Sequence, residues 1–173
     1  MNVYIIRHTS VDVPPGICYG QTDVSLTDTF EQEATNVKQQ LDHIPMDAVI
    51  SSPLTRCKRL ANFCKGHQPI EYDDRIKEMN FGSWEMKKWD ELNTAEWENN
   101  WIGHVVPGGE SFKLVFDRVK DFLDELKTNE YQNVAVFTHG GVSACAHVYF
   151  GATQPEDAWD LRIDYGQIAQ FEL

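Results

Sequence analysis

Two histidines each follow a short apolar run, and one of them stands beside an arginine. Residues 3–6 lead directly into Arg7 and His8, and residues 134–138 lead into His139. Such runs are typical of buried strands, and open α/β sheets bind ligands at the carboxyl ends of those strands. Each histidine alone could be a packed structural residue. Read together, they predict one site where an imidazole and a permanent cation could perform phosphoryl chemistry.

Two further charged residues could join this site. Arg56 lies in the first turn of a predicted helix after the predicted strand 47–50, where its guanidinium and the helix N-terminus both favour an anion. A solvated basic face shared with Lys58 is the alternative. Glu78 stands in the apolar segment 78–84, whose surroundings disfavour its charged form, as a general acid requires. An ordinary surface carboxylate is the alternative there.

The elements that must position these residues alternate between strands and helices. Apolar residues at helical spacing predict one helix capped by Thr27 or Asp28, one that starts at Ser52-Pro53 and one that starts at Ser111. A fourth helix, rich in small residues, is predicted over 141–150, with Gly151 as its C-cap. Predicted strands occupy 3–6, 47–50, 70–72, 134–138 and 168–171. This alternation predicts a three-layer α/β/α sandwich with a mostly parallel central sheet.

Two long segments interrupt the alternation. Residues 8–25 form a loop, and a loop of this length inside a small domain is usually functional. Residues 74–109 carry four of the tryptophans, and we expect them to form short helices packed as a lid over the sheet edge. These two segments are the expected walls of a substrate pocket.

The composition of the chain argues against several classes of function. The chain has 173 residues, which suits one domain, and a net charge of −12, which argues against nucleic acid because no basic stripe is present. No apolar run reaches 18 residues and no signal-peptide pattern is present, so we expect no membrane span and a cytoplasmic location. The four cysteines are expected to be reduced thiols. No spacing typical of a metal site or nucleotide-binding loop appears.

Four motifs resemble the histidine phosphatase superfamily, which includes the phosphoglycerate mutases. Residues 5–10 resemble its Arg-His-Gly signature, residues 19–27 its glycine-containing loop, residues 51–57 its S-S-x-x-x-R segment, and residues 138–142 its [ST]-H-G-G motif. The motifs occur in the family's order over nearly the whole chain. The resemblance implies a phosphoglycerate mutase-like fold, with residues 1–173 as a single domain and a tryptophan-rich, lid-like insertion at about 74–109.

One further stretch narrows the resemblance. Residues 78–86 are similar to the E-M-x-F-G-x-W-E segment of alpha-ribazole phosphatases. This similarity implies a metal-independent phosphatase without a cofactor that hydrolyses alpha-ribazole 5′-phosphate during assembly of the cobalamin nucleotide loop. A broad-range sugar or metabolite phosphatase, a phosphoglycerate mutase, and a phosphate-binding scaffold without activity are the alternatives. The expected partner is a small phosphate monoester, with a homodimer left open.

The resemblance also implies a role for each candidate residue. His8 would be the nucleophile that forms a phosphohistidine. Arg7, Arg56 and a protonated His139 would hold the charge on the phosphate oxygens. Glu78 would protonate the departing alcohol and then take a proton from the attacking water.

The chain departs from the family pattern at two positions. Thr9 stands where the family usually has the glycine after the histidine, and Pro14 stands where many members have a phosphate-contacting asparagine. Gln21 or Thr22 would supply the lost contact. Gly140, in the second histidine motif, is the remaining predicted phosphate-binding residue.

Overall fold

A five-stranded sheet runs through the centre of the protein. The computed structural model describes all 173 residues. The strands lie in the order β3-β2-β4-β1-β5, and all neighbours are parallel except β1 and β5. The mostly parallel sheet is therefore confirmed. The strands are β1 (Asn2–Arg7), β2 (Ala48–Ser51), β3 (Ile70–Tyr72), β4 (Asn133–Thr138) and β5 (Ile168–Glu172).

Helices cover both faces of the sheet, because the strands alternate buried apolar side chains between the two faces. Val3 and Ile5 of β1 belong to a core formed with α4 and α5. Tyr4 and Ile6 belong to a second core formed with α1 and α2. The predicted three-layer sandwich is confirmed. No helix is both long and apolar enough to cross a membrane. The α-helices are α1 (Phe30–Leu41), α2 (Thr55–Cys64), α3 (Ala95–Asn99), α4 (Phe112–Leu126) and α5 (Gly140–Tyr149).

The strand register brings three strand ends to one edge. Arg7 at the end of β1 pairs with Thr138 at the end of β4, and both strands run in the same direction. His8 directly follows Arg7 and His139 directly follows Thr138, so the register of the two strands alone places the histidines side by side. Ser51 of β2 pairs with Phe137, which brings the start of α2 to the same edge.

Two predicted helix starts are wrong by a few residues. The residue before α1 is Thr29, not Thr27 or Asp28, and the Thr29 hydroxyl bonds to Glu33 rather than capping the helix. The second helix begins at Thr55, not after Ser52. The Ser52 N–H still donates to the Phe137 carbonyl (2.9 Å), so the chain remains bound to β4 and cannot turn into a helix there.

The two long segments pack against each other. Residues 74–109 contain α3 and three short 3-10 helices, and the residues after Trp84 run beside the 8–25 loop. The Met86 N–H donates to the Cys18 carbonyl (2.7 Å), and the Cys18 N–H donates to the Lys87 carbonyl (2.8 Å). Trp84 and Trp97 are buried in the same core as α4, so this insertion is part of the packed domain. Whether any of it opens as a lid stays a prediction.

The packing of α4 gives a matched test of the fold. Leu123 is fully buried and Leu114, on the same helix, is 45% exposed. We expect Leu123→Ala to lower the free energy of unfolding by about 2–5 kcal/mol, because it leaves a cavity against the sheet. Leu114→Ala should change it by no more than about 0.5 kcal/mol. Urea unfolding of both variants checks this, and equal losses would contradict the packing described.

Candidate active site

His8 is buried, and its two ring nitrogens have different roles: one donates a hydrogen bond to the backbone and the other has a lone pair. Nδ1 lies 2.7 Å from the Thr9 carbonyl oxygen, which can only accept, so Nδ1 carries the hydrogen. Nε2 accepts a hydrogen bond from Nε of Arg56 at 3.2 Å. Burial, and after it the charges of Arg56 and Arg7, holds the pKa of His8 well below its usual 6.5. Nε2 is therefore an unprotonated nitrogen at neutral pH.

His139 lies beside His8, as the strand register requires. The ring centroids are 5.3 Å apart and the ring planes are inclined by 65°. Nε2 of His139 lies 2.8 Å from the Ser52 hydroxyl, which fixes the ring. Burial lowers the pKa of His139 well below 6.5, and the charge of Arg56 lowers it further. The sequence prediction of a protonated His139 thus requires a negative charge to enter the site.

Arg56 is a fully buried cation held by neutral groups. Its terminal nitrogens donate to the Gly20 carbonyl at 2.5 Å and the Thr22 carbonyl at 3.0 Å. The arginines that form ion pairs with carboxylates are Arg75 and Arg118, at other places in the fold. The alternative of a solvated basic face is wrong for Arg56, because its charge points inward without a carboxylate partner.

Arg7 supplies the second cation. One terminal nitrogen donates to the Ile163 carbonyl, and the guanidinium carbon lies 4.0 Å from the centre of the Tyr165 ring. Nε of Arg7 is buried and has no hydrogen-bond partner in the protein. The hydroxyl of Thr9, the residue that departs from the family pattern, is likewise buried without a partner. Unpaired buried donors are costly, and an anion bound here would relieve that cost for Arg7.

Glu78 lies at the same edge, held by two backbone groups. Its carboxylate accepts hydrogen bonds from the N–H of Met79 (2.9 Å) and the N–H of Gly141 (3.1 Å). A Cβ atom at Gly141 would lie 2.4 Å from a Glu78 oxygen, so a side chain there would displace the Glu78 carboxylate. The structure thus brings Glu78 together with the start of α5, directly after His139.

The three remaining predicted residues have different surroundings. The backbone N–H groups of Gln21 and Thr22, and the Thr22 hydroxyl, all donate to Glu85. The Gln21 amide donates to the Glu78 carbonyl. These donors are already engaged, so their predicted contact with phosphate stays a prediction. Gly140 begins α5 next to Arg7, where the helix N-terminus favours an anion.

A cavity of about 310 Å³ opens beside these charged residues. Arg7, Glu78 and Gly140 line one part of it. The rest of the wall is mainly apolar and includes five large aromatic residues, namely Tyr19, Phe81, Trp89, Phe112 and Trp159. No group of three or more His, Cys, Asp or Glu side chains is placed to hold a metal ion. The arrangement provides a polar place for an anion and an apolar place for the group attached to it.

Sequence reasoning missed several residues of this site. Tyr165 packs on Arg7, its ring centroid lies 5.6 Å from that of His8, and its hydroxyl lies 2.8 Å from the Tyr19 hydroxyl. Trp159 lies outside the 74–109 insertion yet completes its aromatic cluster, with its ring 4.7 Å from that of Trp97. Both belong to an irregular stretch between α5 and β5 that has no periodic pattern. Ser52 follows a strand and could have been found as a strand-end polar residue.

Comparison with known proteins agrees with this geometry. The family model for the histidine phosphatase superfamily (branch 1) matches residues 3–173. The adenosylcobalamin/alpha-ribazole phosphatase of Escherichia coli K12 is 28% identical over 177 residues, which cover 96% of this chain and 87% of the relative. A Hydrogenobacter thermophilus protein provisionally named phosphoserine phosphatase 2 is 27% identical, with 99% and 89% covered.

A solved structure gives the same result. The crystal structure of the alpha-ribazole phosphatase from Shigella flexneri superposes with a TM-score of 0.89 at 27% identity, covering 100% of this chain and 91% of that one. The match of the family model to nearly the entire chain decides the family. This chain belongs to the histidine phosphatase superfamily, branch 1.

Proposed function

We propose that this protein is a phosphomonoester hydrolase that works through a phosphohistidine on His8, with alpha-ribazole 5′-phosphate as its substrate. One observation carries the proposal. The unprotonated Nε2 of His8 faces a buried, carboxylate-free guanidinium and lies beside a second imidazole. A nucleophile surrounded by unneutralised cations suits attack on a phosphate ester.

The reaction has two balanced steps. In the first, Nε2 of His8 forms a bond to phosphorus while the ester P–O bond breaks, and Glu78 gives its proton to the departing oxygen. In the second, Glu78 takes a proton from water, whose oxygen bonds to phosphorus as the N–P bond breaks. Inorganic phosphate leaves, and the lone pair returns to His8. The hydrogen bond from Nδ1 to the Thr9 carbonyl holds the required tautomer throughout.

Charge on the transferred phosphoryl group is held by groups already in place. Arg56 and Arg7 are fixed by carbonyl oxygens, so little reorganisation is needed when the phosphate enters. The incoming dianion opposes the effects that lower the pKa of His139, which favours its protonated form during the reaction. A single preorganised donor of this kind contributes about 3–4 kcal/mol to catalysis.

The aromatic wall of the cavity supports the choice of leaving group. Trp89 and Trp159 line the same cavity as Arg7 and Glu78 and would contact a flat base joined to ribose. Small polar alcohols, such as serine, a sugar or a glycerate, would leave that wall uncovered. The E. coli and Shigella relatives, named for alpha-ribazole phosphatase, support the same substrate.

The proposal also includes the domain organisation and the location of the protein. We treat the chain as one domain in which the insertion 74–109 supplies part of the pocket wall. The four free thiols suit a reducing compartment, which supports the cytoplasm as the location. The mutase and scaffold alternatives are separated by assay. A mutase would isomerise 3-phosphoglycerate faster than it hydrolyses any ester, and a scaffold would release no phosphate.

The nucleophile has a direct test. We expect His8→Ala to lower phosphate release from alpha-ribazole 5′-phosphate by at least about 10³-fold, because it removes the imidazole nitrogen that accepts the hydrogen bond of Arg56 and would attack phosphorus. Rapid quenching with labelled substrate should trap a phosphoenzyme in the unsubstituted protein and none in the variant. His67→Ala, on an exposed residue, is the control and should retain activity. Full turnover by a folded His8→Ala protein would end the assignment.

The role of Glu78 is tested by leaving-group dependence. We expect Glu78→Gln to slow the first step with ribose 5-phosphate by about 10²–10⁴-fold, because an alkoxide needs a proton to depart. The burst of nitrophenolate from p-nitrophenyl phosphate should change far less, since nitrophenolate leaves without protonation. Glu91→Gln, in the same insertion, is the control and should match the unsubstituted protein. Equal losses for both esters would exclude general-acid catalysis by Glu78.

The leaving-group pocket is tested with a matched pair of esters. Alpha-ribazole 5′-phosphate and ribose 5-phosphate share the reacting end and differ in the aromatic base. We expect Trp159→Ala to lower kcat/KM for the first by about 5- to 10-fold, the worth of one aromatic contact, and to leave the second unchanged. If the unsubstituted enzyme prefers ribose 5-phosphate, the chemistry stands and the proposed substrate is wrong.

A further inference from the structure

Glu85 matches the last residue of the E-M-x-F-G-x-W-E segment, and the proposed reaction gives it no role. Four donors converge on its carboxylate. One oxygen accepts from the N–H of Gln21 (2.8 Å) and the N–H of Phe81 (3.2 Å). The other accepts from the N–H (2.6 Å) and the hydroxyl of Thr22. Burial raises the pKa of Glu85, but the hydrogen bonds from Thr22 and Gln21 outweigh it and lower the pKa overall.

The segment that Glu85 binds makes few other hydrogen bonds, namely those of its carbonyls with Arg56 and that of the Gln21 side chain with the Glu78 carbonyl. Earlier in the loop, Gly16 and Cys18 form backbone hydrogen bonds with the insertion. Residues 19–24 take part in no backbone–backbone hydrogen bond of the loops and turns. Asp23 bonds to Thr55 at the start of α2, which fixes the far end of the segment. The backbone N–H groups of Gln21 and Thr22 therefore depend on Glu85.

The same segment orients Arg56 from its other side. The carbonyls of Gly20 and Thr22 accept hydrogen bonds from the two terminal nitrogens of Arg56 (2.5 and 3.0 Å). The third nitrogen of that guanidinium donates to Nε2 of His8. Gly20 fits closely, because a Cβ atom there would lie 1.9 Å from the Met79 carbonyl oxygen and 3.0 Å from Glu85. The N–H side of this turn faces Glu85, and its carbonyl oxygens hold Arg56.

Placing the carboxylate one step away from the guanidinium has a physical advantage. A carboxylate in direct contact with Arg56 would neutralise its charge and compete with the phosphate for it. Neutral carbonyls fix the guanidinium plane and leave the charge available. The Glu85 carboxylate instead accepts hydrogen bonds from backbone N–H groups. Because it is charged, it binds these groups more strongly than a neutral acceptor would.

We propose that Glu85 is a positioning residue that holds the 20–22 segment, so that its carbonyls fix Arg56 against His8 without neutralising it. This role rests on the proposed function, because it serves the attack of His8 on phosphorus. The hydrogen bonds of the Glu85 carboxylate come from Gln21, Thr22 and Phe81, and none comes from His8 or Arg56. Glutamine cannot replace it, because its amide NH₂ would face two donors where the carboxylate offers an oxygen.

The test combines NMR titration of the His8 ring with kinetics in Glu85→Gln. Loss of the fixed Arg56 removes a nearby cation, so the pKa of His8 should rise toward 6.5 in the variant. The acid limb of kcat/KM should move to higher pH with it, and kcat/KM should fall by about 10- to 100-fold, as for a misplaced catalytic group. Glu85→Asp, which retains the charge, should recover part of each effect.

The controls separate positioning from folding and from the proposed function. Glu91→Gln should change neither the titration nor the rate, and circular dichroism reports whether each variant is folded. A folded Glu85→Gln protein with an unchanged His8 titration would overturn the proposal, even if its activity or melting temperature fell. If the unsubstituted protein releases no phosphate from any ester, the proposed function fails, and the NMR titration still decides the positioning role.

Discussion

The site depends on the buried positive charge of Arg56. A cation removed from water costs several kcal/mol, and proteins usually offset that cost with a carboxylate. Here two backbone carbonyls and the lone pair of His8 surround the guanidinium, so its charge is solvated without being neutralised. Burial lowers the pKa of both histidines and the charge of Arg56 lowers it further, which keeps a nucleophilic nitrogen available. A phosphate group is the partner that such an arrangement accepts best.

The sheet supplies the geometry that makes this charge useful. β1 and β4 are parallel, and Arg7 pairs with Thr138. Because a histidine directly follows each of these residues, the two histidines lie side by side. β2 lies on the other side of β4 and ends at the same edge of the sheet. The chain then continues into α2, whose second residue is Arg56. Residues far apart in the sequence thus meet through backbone pairing, and few side-chain contacts are needed to align them.

The sequence predicts this part well because it follows from local patterns. Apolar runs with polar residues at their ends identify β1 and β4, and periodic apolar positions identify three of the four long helices, whereas α5 is indicated by its small residues and the glycine after it. Contacts that depend on irregular backbone were not predictable in the same way. Tyr165, Trp159 and the carbonyl of Ile163 enter the site from a stretch without periodicity. The start of α2 was placed too early because Ser52 resembles an N-cap while its N–H still belongs to the sheet.

The strand ends and the irregular segments contribute different kinds of residue to the site. In the proposed reaction the strand ends carry the groups that act on phosphorus, and any phosphate ester presents those same atoms. The insertion and the stretch after α5 contribute to the aromatic wall, which would meet only the departing alcohol. Glu85 connects the two parts, because it belongs to the insertion and binds the loop that holds Arg56. On the proposed roles, a change at Trp89 would alter leaving-group preference alone, while Glu85 would be constrained by the chemistry at phosphorus. This constraint would explain in physical terms why a glutamate that binds the loop, and neither His8 nor Arg56, lies in the segment that is similar to the alpha-ribazole phosphatases.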